Sequence, residues 1–211
     1  APMTAMFIAL PETWGISDPL VLSVQEGDQE KWLVPQVKLL LDKVVSQAQL
    51  QNLPNAEKKL AVMFWNYPQG QNNLSSANMN IPLSLQNIQQ ALKNEGYSTD
   101  DLDEQQWIEA AQQLLAPFYQ PEKLHQLEKN KWLAYYPVQA YQDWVAGLPE
   151  HRQAQLQEHA TTEQLRQHWA VVERDGQLYF AIPKASFGHL TLLPQPPRNT
   201  KLGENYHALT A

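Results

Sequence analysis

Cysteine is absent from the 211 residues. Disulfides, thiol nucleophiles and thiolate-bound metals are therefore excluded, and the cytosol is a compatible compartment. Glycine is scarce, at eight residues, and the Lys58–Tyr97 stretch carries only Gly70 before Gly96. A P-loop or dinucleotide fingerprint needs several loop glycines, so neither is present there. Basic residues are outnumbered 15 to 22, giving a net charge of -7 and an isoelectric point near 5.3. A nucleic-acid binder should carry a basic stripe, and none is visible. No apolar run approaches the length of a transmembrane helix, and APMTAMFIALPE lacks the basic start of a signal peptide. The expected setting is cytoplasmic, away from nucleic acid and membrane. What remains is a chain 43% hydrophobic and 18% charged, enough apolar material for a core. Both ends read as cut, so a fragment of a longer protein is expected.

The stretch that organises the chain is KKLAVMFWNYPQGQNNLSSANMNIPLSLQNIQQALKNEGY. Leu60–Trp65 is near-continuously apolar, the habit of a strand buried on both faces. A Gln-, Asn- and Ser-rich loop follows, long enough to hold a ligand. Pro82 and Ser84 then open a helix, with Ser84 as N-cap and Leu85, Ile88, Ala91 and Leu92 on one face. Gly96 suits the left-handed residue after its end.

Two further strands are expected upstream, over Met6–Leu10 and Leu20–Val24. A helix is expected from Val34 to about Gln49, with Val37, Leu40, Leu41, Val44 and Val45 as its buried stripe. Downstream, Asp101 and Glu104 have capping-box spacing, and Trp107, Ile108, Ala111, Leu114 and Leu115 have core spacing, with Pro117 and Pro121 ending that helix. Pro137 starts another helix, and a polar one covers Glu150–His159. Asp175-Gly176 marks a hairpin over Trp169–Phe180, and Phe187–Leu193 reads as a strand. The expected fold is α/β, with mostly parallel strands flanked by helices and a β-hairpin toward the C-terminus. The division expected is a lead-in strand and helix over 1–55 and an α/β core over 56–211.

Candidate chemistry is sparse. The spacings of eight and nine residues between His151, His159 and His168 do not place imidazoles on one helical face. His207, beside Tyr206 in the terminal loop, draws most interest because loops carry function more often than helices. Ser75 and Ser76 lack the G-x-S-x-G elbow of a nucleophile, and loop hydrogen bonding explains them. The carboxylates from Asp100 to Glu104 suit a helix N-terminus. Trp65 and Tyr67, and also Trp132, Tyr135 and Tyr136, suit either a core or the face of a flat macrocycle.

The ordered motifs resemble the large subunit of cobalt and magnesium chelatases. KKLAVMFWNYP, NMNIPLSL and LKNEGY resemble the K-x-v-A-i strand, N-Y-P, L-D-x-P-x-S and G-Y of that family. FIALPETWGISDP resembles its PE-x-x-G segment. YPVQAYQDWVAGLPEHRQAQLQEH resembles its Y-x-x-W-x-x-L-P helix pair. FGHLTLLPQPPR and ENYHAL resemble F-G-N-x-x-x-x-x-Q-P-x-R-G and the Y-H-D after it. The N-Y-P and the paired helices lean toward the CobN branch.

The resemblance implies an internal piece of an ATP-dependent chelatase subunit. Such a subunit binds a tetrapyrrole and inserts a divalent metal, cobalt or magnesium, in cobalamin-type biosynthesis. Partner ATPase subunits hydrolyse the ATP. It implies His207 as base or transient metal ligand and Arg198 as partner of a tetrapyrrole carboxylate. Gln195, Asn73, Ser75 and Asn80 are implied as further tetrapyrrole contacts, with the 71–80 loop as a wall. The chain departs from the pattern where the loop glycines are replaced by Gln71, Asn72, Asn73, Ser75, Ser76 and Asn78. Asn80 and Ala208 stand where Asp is usual, His189 where Asn is usual, and Asn199 where Gly is usual. The lost carboxylates keep open a different class: a non-catalytic tetrapyrrole carrier or interaction module. A plain scaffold, with the ligand surface elsewhere in the parent chain, is a third reading.

Overall fold

A computed structural model describes residues 13–15, 20–68, 70–157 and 161–196, with 157 and 162 described by backbone alone. The chain forms two compact units, Ala1–Pro54 and Asn55–Ala211. The strand expected over Met6–Leu10 lies outside the described residues.

In the first unit, strands β1 (Ser23–Glu26) and β2 (Gln29–Trp32) form an antiparallel hairpin. Gly27, at φ +64°, supplies the left-handed turn residue. That turn shifts the strand expected at Leu20–Val24 downstream, because a two-residue loop fixes which residues flank it. Helix α1 (Val34–Asn52) follows, with Pro35 in its first turn. None of its residues is buried. Of the expected stripe, Val37 and Leu40 are half-buried, whereas Leu41, Val44 and Val45 are exposed.

The second unit is built on β3 (Leu60–Phe64), whose partner β10 (Leu190–Pro194) lies far along the chain. The two run parallel, in register from Leu190↔Leu60 to Pro194↔Phe64. Strand β9 (Ala185–Phe187) pairs antiparallel with β10 and completes a sheet of order β3-β10-β9. A second sheet, β6-β8-β7, joins β6 (Leu133–Pro137), β7 (Val171–Arg174) and β8 (Gln177–Pro183), all antiparallel. The α/β class and the C-terminal hairpin are as expected: Asp175 and Gly176 both have positive φ, as a type I′ turn requires. The parallel pairing, in contrast, is confined to β3 and β10 among the described residues. The hairpins β7–β8 and β9–β10 are joined by two-residue turns, which permit only antiparallel pairing, whereas a parallel pair needs a long crossover.

The strand expected over Phe187–Leu193 breaks at Gly188-His189. Gly188 has φ +62°, and a Cβ there would lie 2.9 Å from the Ser98 carbonyl oxygen and 3.0 Å from Thr99 Cα. The backbone of His189 donates to that same carbonyl at 2.8 Å. The turn thus docks onto residues 98–100, and only glycine fits there.

Two helices cover the β3-β10-β9 sheet: α2 (Ile81–Asn94) and α3 (Glu104–Tyr119). Trp107, Ala111 and Leu114 of α3 are fully buried and pack with Leu85 of α2 and Leu190 and Leu192 of β10. On α2 the buried face is Ile81, Pro82, Leu85 and Gln89, and Ile88 is exposed. The polar Gln89 enters this face because its amide mimics a peptide group: it donates to the Leu102 carbonyl (3.3 Å) and accepts from the Leu102 N–H (3.2 Å). The N-cap of α2 is Asn80, four residues before the expected Ser84, whose hydroxyl instead donates to the Asn80 carbonyl at 2.7 Å. The capping box of α3 is Asp103 with Gln106, in place of Asp101 with Glu104. Asp101 is drawn off by an ion pair with Lys93. Pro117 sits within the last turn of α3, and the helix runs on to Tyr119.

Beyond α3 come α4 (Leu124–Lys129), α5 (Val138–Ala146), α6 (Glu150–Gln157) and α7 (Thr162–Gln167). No described helix is long and apolar enough to cross a membrane.

The Gly188 contact makes a measurable contrast with Gly176, which has similar backbone strain but open space around it. Gly188→Ala is expected to cost roughly 2–4 kcal/mol, strain plus overlap, and Gly176→Ala about 1–2 kcal/mol, strain alone. Urea unfolding of the two variants checks the difference.

Candidate functional site

Strand β3 ends at Phe64 and β10 at Pro194, so the carboxyl ends of the two parallel strands lie side by side. The Gln195 N–H extends the ladder by donating to the Phe64 carbonyl at 2.8 Å. In open α/β sheets ligands bind outside such strand ends. The segment from Trp65 to Asn80 rises from this point.

Its path is fixed by hydrogen bonds at almost every turn. Asn66 is buried and donates from Nδ2 to the Gly70 carbonyl at 2.7 Å. The Tyr67 N–H donates to the Ser75 carbonyl at 2.8 Å, and the Tyr67–Pro68 peptide is cis. The Gly70 N–H donates to the Tyr119 hydroxyl at 2.8 Å, and Gln120 Nε2 donates to Gln71 Oε1 at 2.9 Å. The C-terminal end of α3 therefore pins the outer part of the loop. Two short strands, β4 (Ser75–Ser76) and β5 (Met79–Asn80), close a ribbon around Ala77 and Asn78, both at positive φ.

Between this ribbon and α3 lies an open cleft of about 720 Å³, within the usual range for small-molecule sites. Tyr67, Ser75 and Asn78 line the loop side, and Glu104, Ile108 and Gln112 line the α3 side. The latter three recur every four residues, a single helical stripe. Ile108, expected in the core, is thus half-buried in the cleft wall, and the core stripe begins at its neighbour Trp107. Asn80 links the walls: Oδ1 accepts from the Leu83 N–H at 3.0 Å, and Nδ2 donates to Glu104 Oε1 at 3.1 Å.

Of the residues implied by the motifs, Ser75 and Asn80 are cross-strand partners in the ribbon, and both line the cleft. Asn73 is not among the lining residues. Its amide donates to the Pro68 carbonyl, and its Oδ1 accepts from the Ser75 hydroxyl at 2.7 Å. Its side chain holds the loop's shape. Gln195 sits half-buried at the root of the loop. Arg198 and His207 lie outside the described residues. Among the described residues no three His, Asp or Glu side chains come together as a metal site.

Of the second aromatic group, Trp132 and Tyr135 make structural contacts and Tyr136 is exposed. Trp132 meets Phe187 edge-on with ring centroids 6.0 Å apart, against the core. Tyr135 lies under the Arg174 guanidinium at 4.1 Å and donates to Glu128 at 3.0 Å. Burial and the Glu128 carboxylate push its phenol above the ordinary range. The rings of Trp65 and Tyr67 are 5.6 Å apart, and of the two only Tyr67 lines the cleft. The sequence points to Glu104 only as part of a helix N-terminus, and to Tyr119, Gln120 and Gln112 not at all. The four-residue spacing of Glu104, Ile108 and Gln112 was a usable signal. The tie from Tyr119 to Gly70 had none, since it spans 49 positions.

The profile of the CobN/magnesium chelatase family matches residues 1–210. The chain belongs to that family. It is 30% identical over 101 residues to the magnesium-chelatase subunit ChlH, chloroplastic, of Oryza sativa subsp. indica, and equally to that of subsp. japonica. The match covers 46% of this chain and 7% of each relative, so this chelatase-family chain corresponds to a small part of those proteins. Its fold is similar to that of the catalytic subunit of cobaltochelatase from Mycobacterium tuberculosis. The TM-score is 0.59 at 20% identity, over 85% of this chain and 15% of that one.

Tyr119→Phe removes the acceptor for the Gly70 N–H. Backbone hydrogen exchange around Gly70 is expected to speed up, while global stability falls by no more than about 1.5 kcal/mol. Exchange measured by mass spectrometry, beside denaturant unfolding, separates the local from the global effect.

Proposed function

We propose that this chain is the part of an ATP-dependent metal chelatase large subunit, of the cobaltochelatase type, that forms one wall of the tetrapyrrole site. The observation that carries the reading is the pre-formed cleft at the carboxyl ends of β3 and β10, in a chain of the chelatase family. Tyr67 offers a π-face to a flat ring. Ser75, Asn78 and Gln112 offer neutral hydrogen-bonding groups to its edge. In this reading Gln195 and Asn73 hold the wall in place.

Metal insertion replaces two pyrrole N–H protons by a divalent cation, so the site needs a base and a transient ligand. An imidazole serves as either, and His207 is the residue proposed for it. Arg198 is proposed to hold a peripheral carboxylate through a paired, charge-assisted hydrogen bond. ATP is hydrolysed by partner subunits in this reading, the metal is cobalt or magnesium, and the setting is cytoplasmic.

A carrier without insertion chemistry is the second reading. It is favoured by Asn80, a neutral amide committed to capping α2 and to Glu104, where the motif has a carboxylate. An insertion assay with the full-length subunit, ATPase partners, a metal-free tetrapyrrole and Co²⁺ decides between them, since turnover excludes the carrier. Arg198→Ala in the same subunit is expected to weaken tetrapyrrole binding roughly tenfold, the loss of about 1.4 kcal/mol. Unchanged fluorescence quenching would remove Arg198 from the site.

A further inference from the structure

We propose that Glu104 is a specificity-determining residue of the cleft, selecting which edge of the macrocycle faces this wall. The inference rests on the tetrapyrrole reading and adds an orientation to it. Among the described lining residues Glu104 is the only ionised side chain, and none is Lys, Arg or His. The other polar groups there are neutral amides and hydroxyls. Glu104 is fixed rather than free to swing away: it occupies the first turn of α3, where the helix dipole favours an anion, and Asn80 Nδ2 donates to it at 3.1 Å. Glu104 is half-buried, so its field in the cleft is less screened than that of a surface carboxylate.

A carboxylate edge entering this cleft meets a fixed negative charge and no described cation. An edge carrying uncharged hydrogen-bonding groups meets Ser75, Asn78 and Gln112 without that repulsion, and a cationic edge gains from it. Beside Glu104 the cleft therefore favours the uncharged or cationic edge of the ligand, and the acidic edge is left to the proposed partner Arg198. The motif's Asp at position 80 would add a second carboxylate beside Glu104. With Asn80 the charge stays single and hydrogen-bonded.

The test compares two flat, metal-free probes with the same ring and opposite periphery: tetrakis(4-carboxyphenyl)porphyrin and tetrakis(N-methyl-4-pyridyl)porphyrin. Their affinities are read by fluorescence quenching with the full-length subunit. Glu104→Gln keeps the acceptor for Asn80, so the fold is maintained. Glu173→Gln, on the exposed face of β7 and away from the cleft lining, controls for the identical change in net charge. The wild-type protein is expected to favour the cationic probe. Glu104→Gln should shrink that preference by about fivefold, in line with one charge interaction at close range, and Glu173→Gln should leave it nearly unchanged. Probes that bind with the same ratio in wild type and Glu104→Gln, or equal shifts in the two variants, would overturn the role of Glu104 and leave the tetrapyrrole reading standing. Failure of both probes to bind would overturn the tetrapyrrole reading, and the orientation with it.

Discussion

The parallel ladder between β3 and β10 is the constraint on which the second unit depends. It joins Leu60 to Leu190 and Phe64 to Pro194, and all the other strands and α-helices described for the unit lie in the chain between. Closing so long a loop costs more entropy than closing a hairpin, though only logarithmically more. The gain that offsets it is the burial of Leu190, Leu192 and Phe64 under α2 and α3. The docking of Gly188 onto residues 98–100 adds a second tie near the ladder's start. Because the two strands point the same way, their carboxyl ends open together, and the loop from Trp65 rises where both stop.

Helix α3 converts that geometry into a site. Its buried stripe, Trp107, Ala111 and Leu114, fixes its rotation about its own axis. Given that rotation, Glu104, Ile108 and Gln112 have nowhere to face but the cleft. The Asp103–Gln106 capping box fixes where the helix begins, and hence the height of Glu104 beside Asn80. Core packing and cleft chemistry are two faces of one element, so a change to the first moves the second.

Much of this was legible in the sequence, for identifiable reasons. The apolar run Leu60–Phe64, the Asp175-Gly176 turn and the core spacing of Trp107, Ala111, Leu114 and Leu115 are local signals, and the structure forms an element at each. The burial expected on both faces of β3 is not met, because it is an edge strand with Ala61 and Met63 exposed. The N-cap of α2 was misplaced because Asn80 and Ser84 are both good caps and Pro82 is compatible with either start. Gln89 was unreadable as a core residue, since only the Leu102 peptide, thirteen positions away, makes its burial tolerable. The cleft's loop was visible as a loop but not as an ordered one. Its ties to Tyr119 and Gln120 cross long sequence distances, and no periodicity records them. The parallel pairing proved narrower than expected because strand content is local whereas pairing direction is set by connections.

The anchoring of Gly70 and Gln71 to the end of α3 also bears on how a ligand would arrive. A wall made of an untethered loop must be frozen by each ligand in turn, and that ordering cost is subtracted from affinity at every encounter. Here the cost falls once, when the chain folds. A wall tied down in the folded chain loses less to conformational selection than a free loop would. For a ligand of such a wall, differences in affinity would fall mainly in residence time rather than in the rate of loop closure.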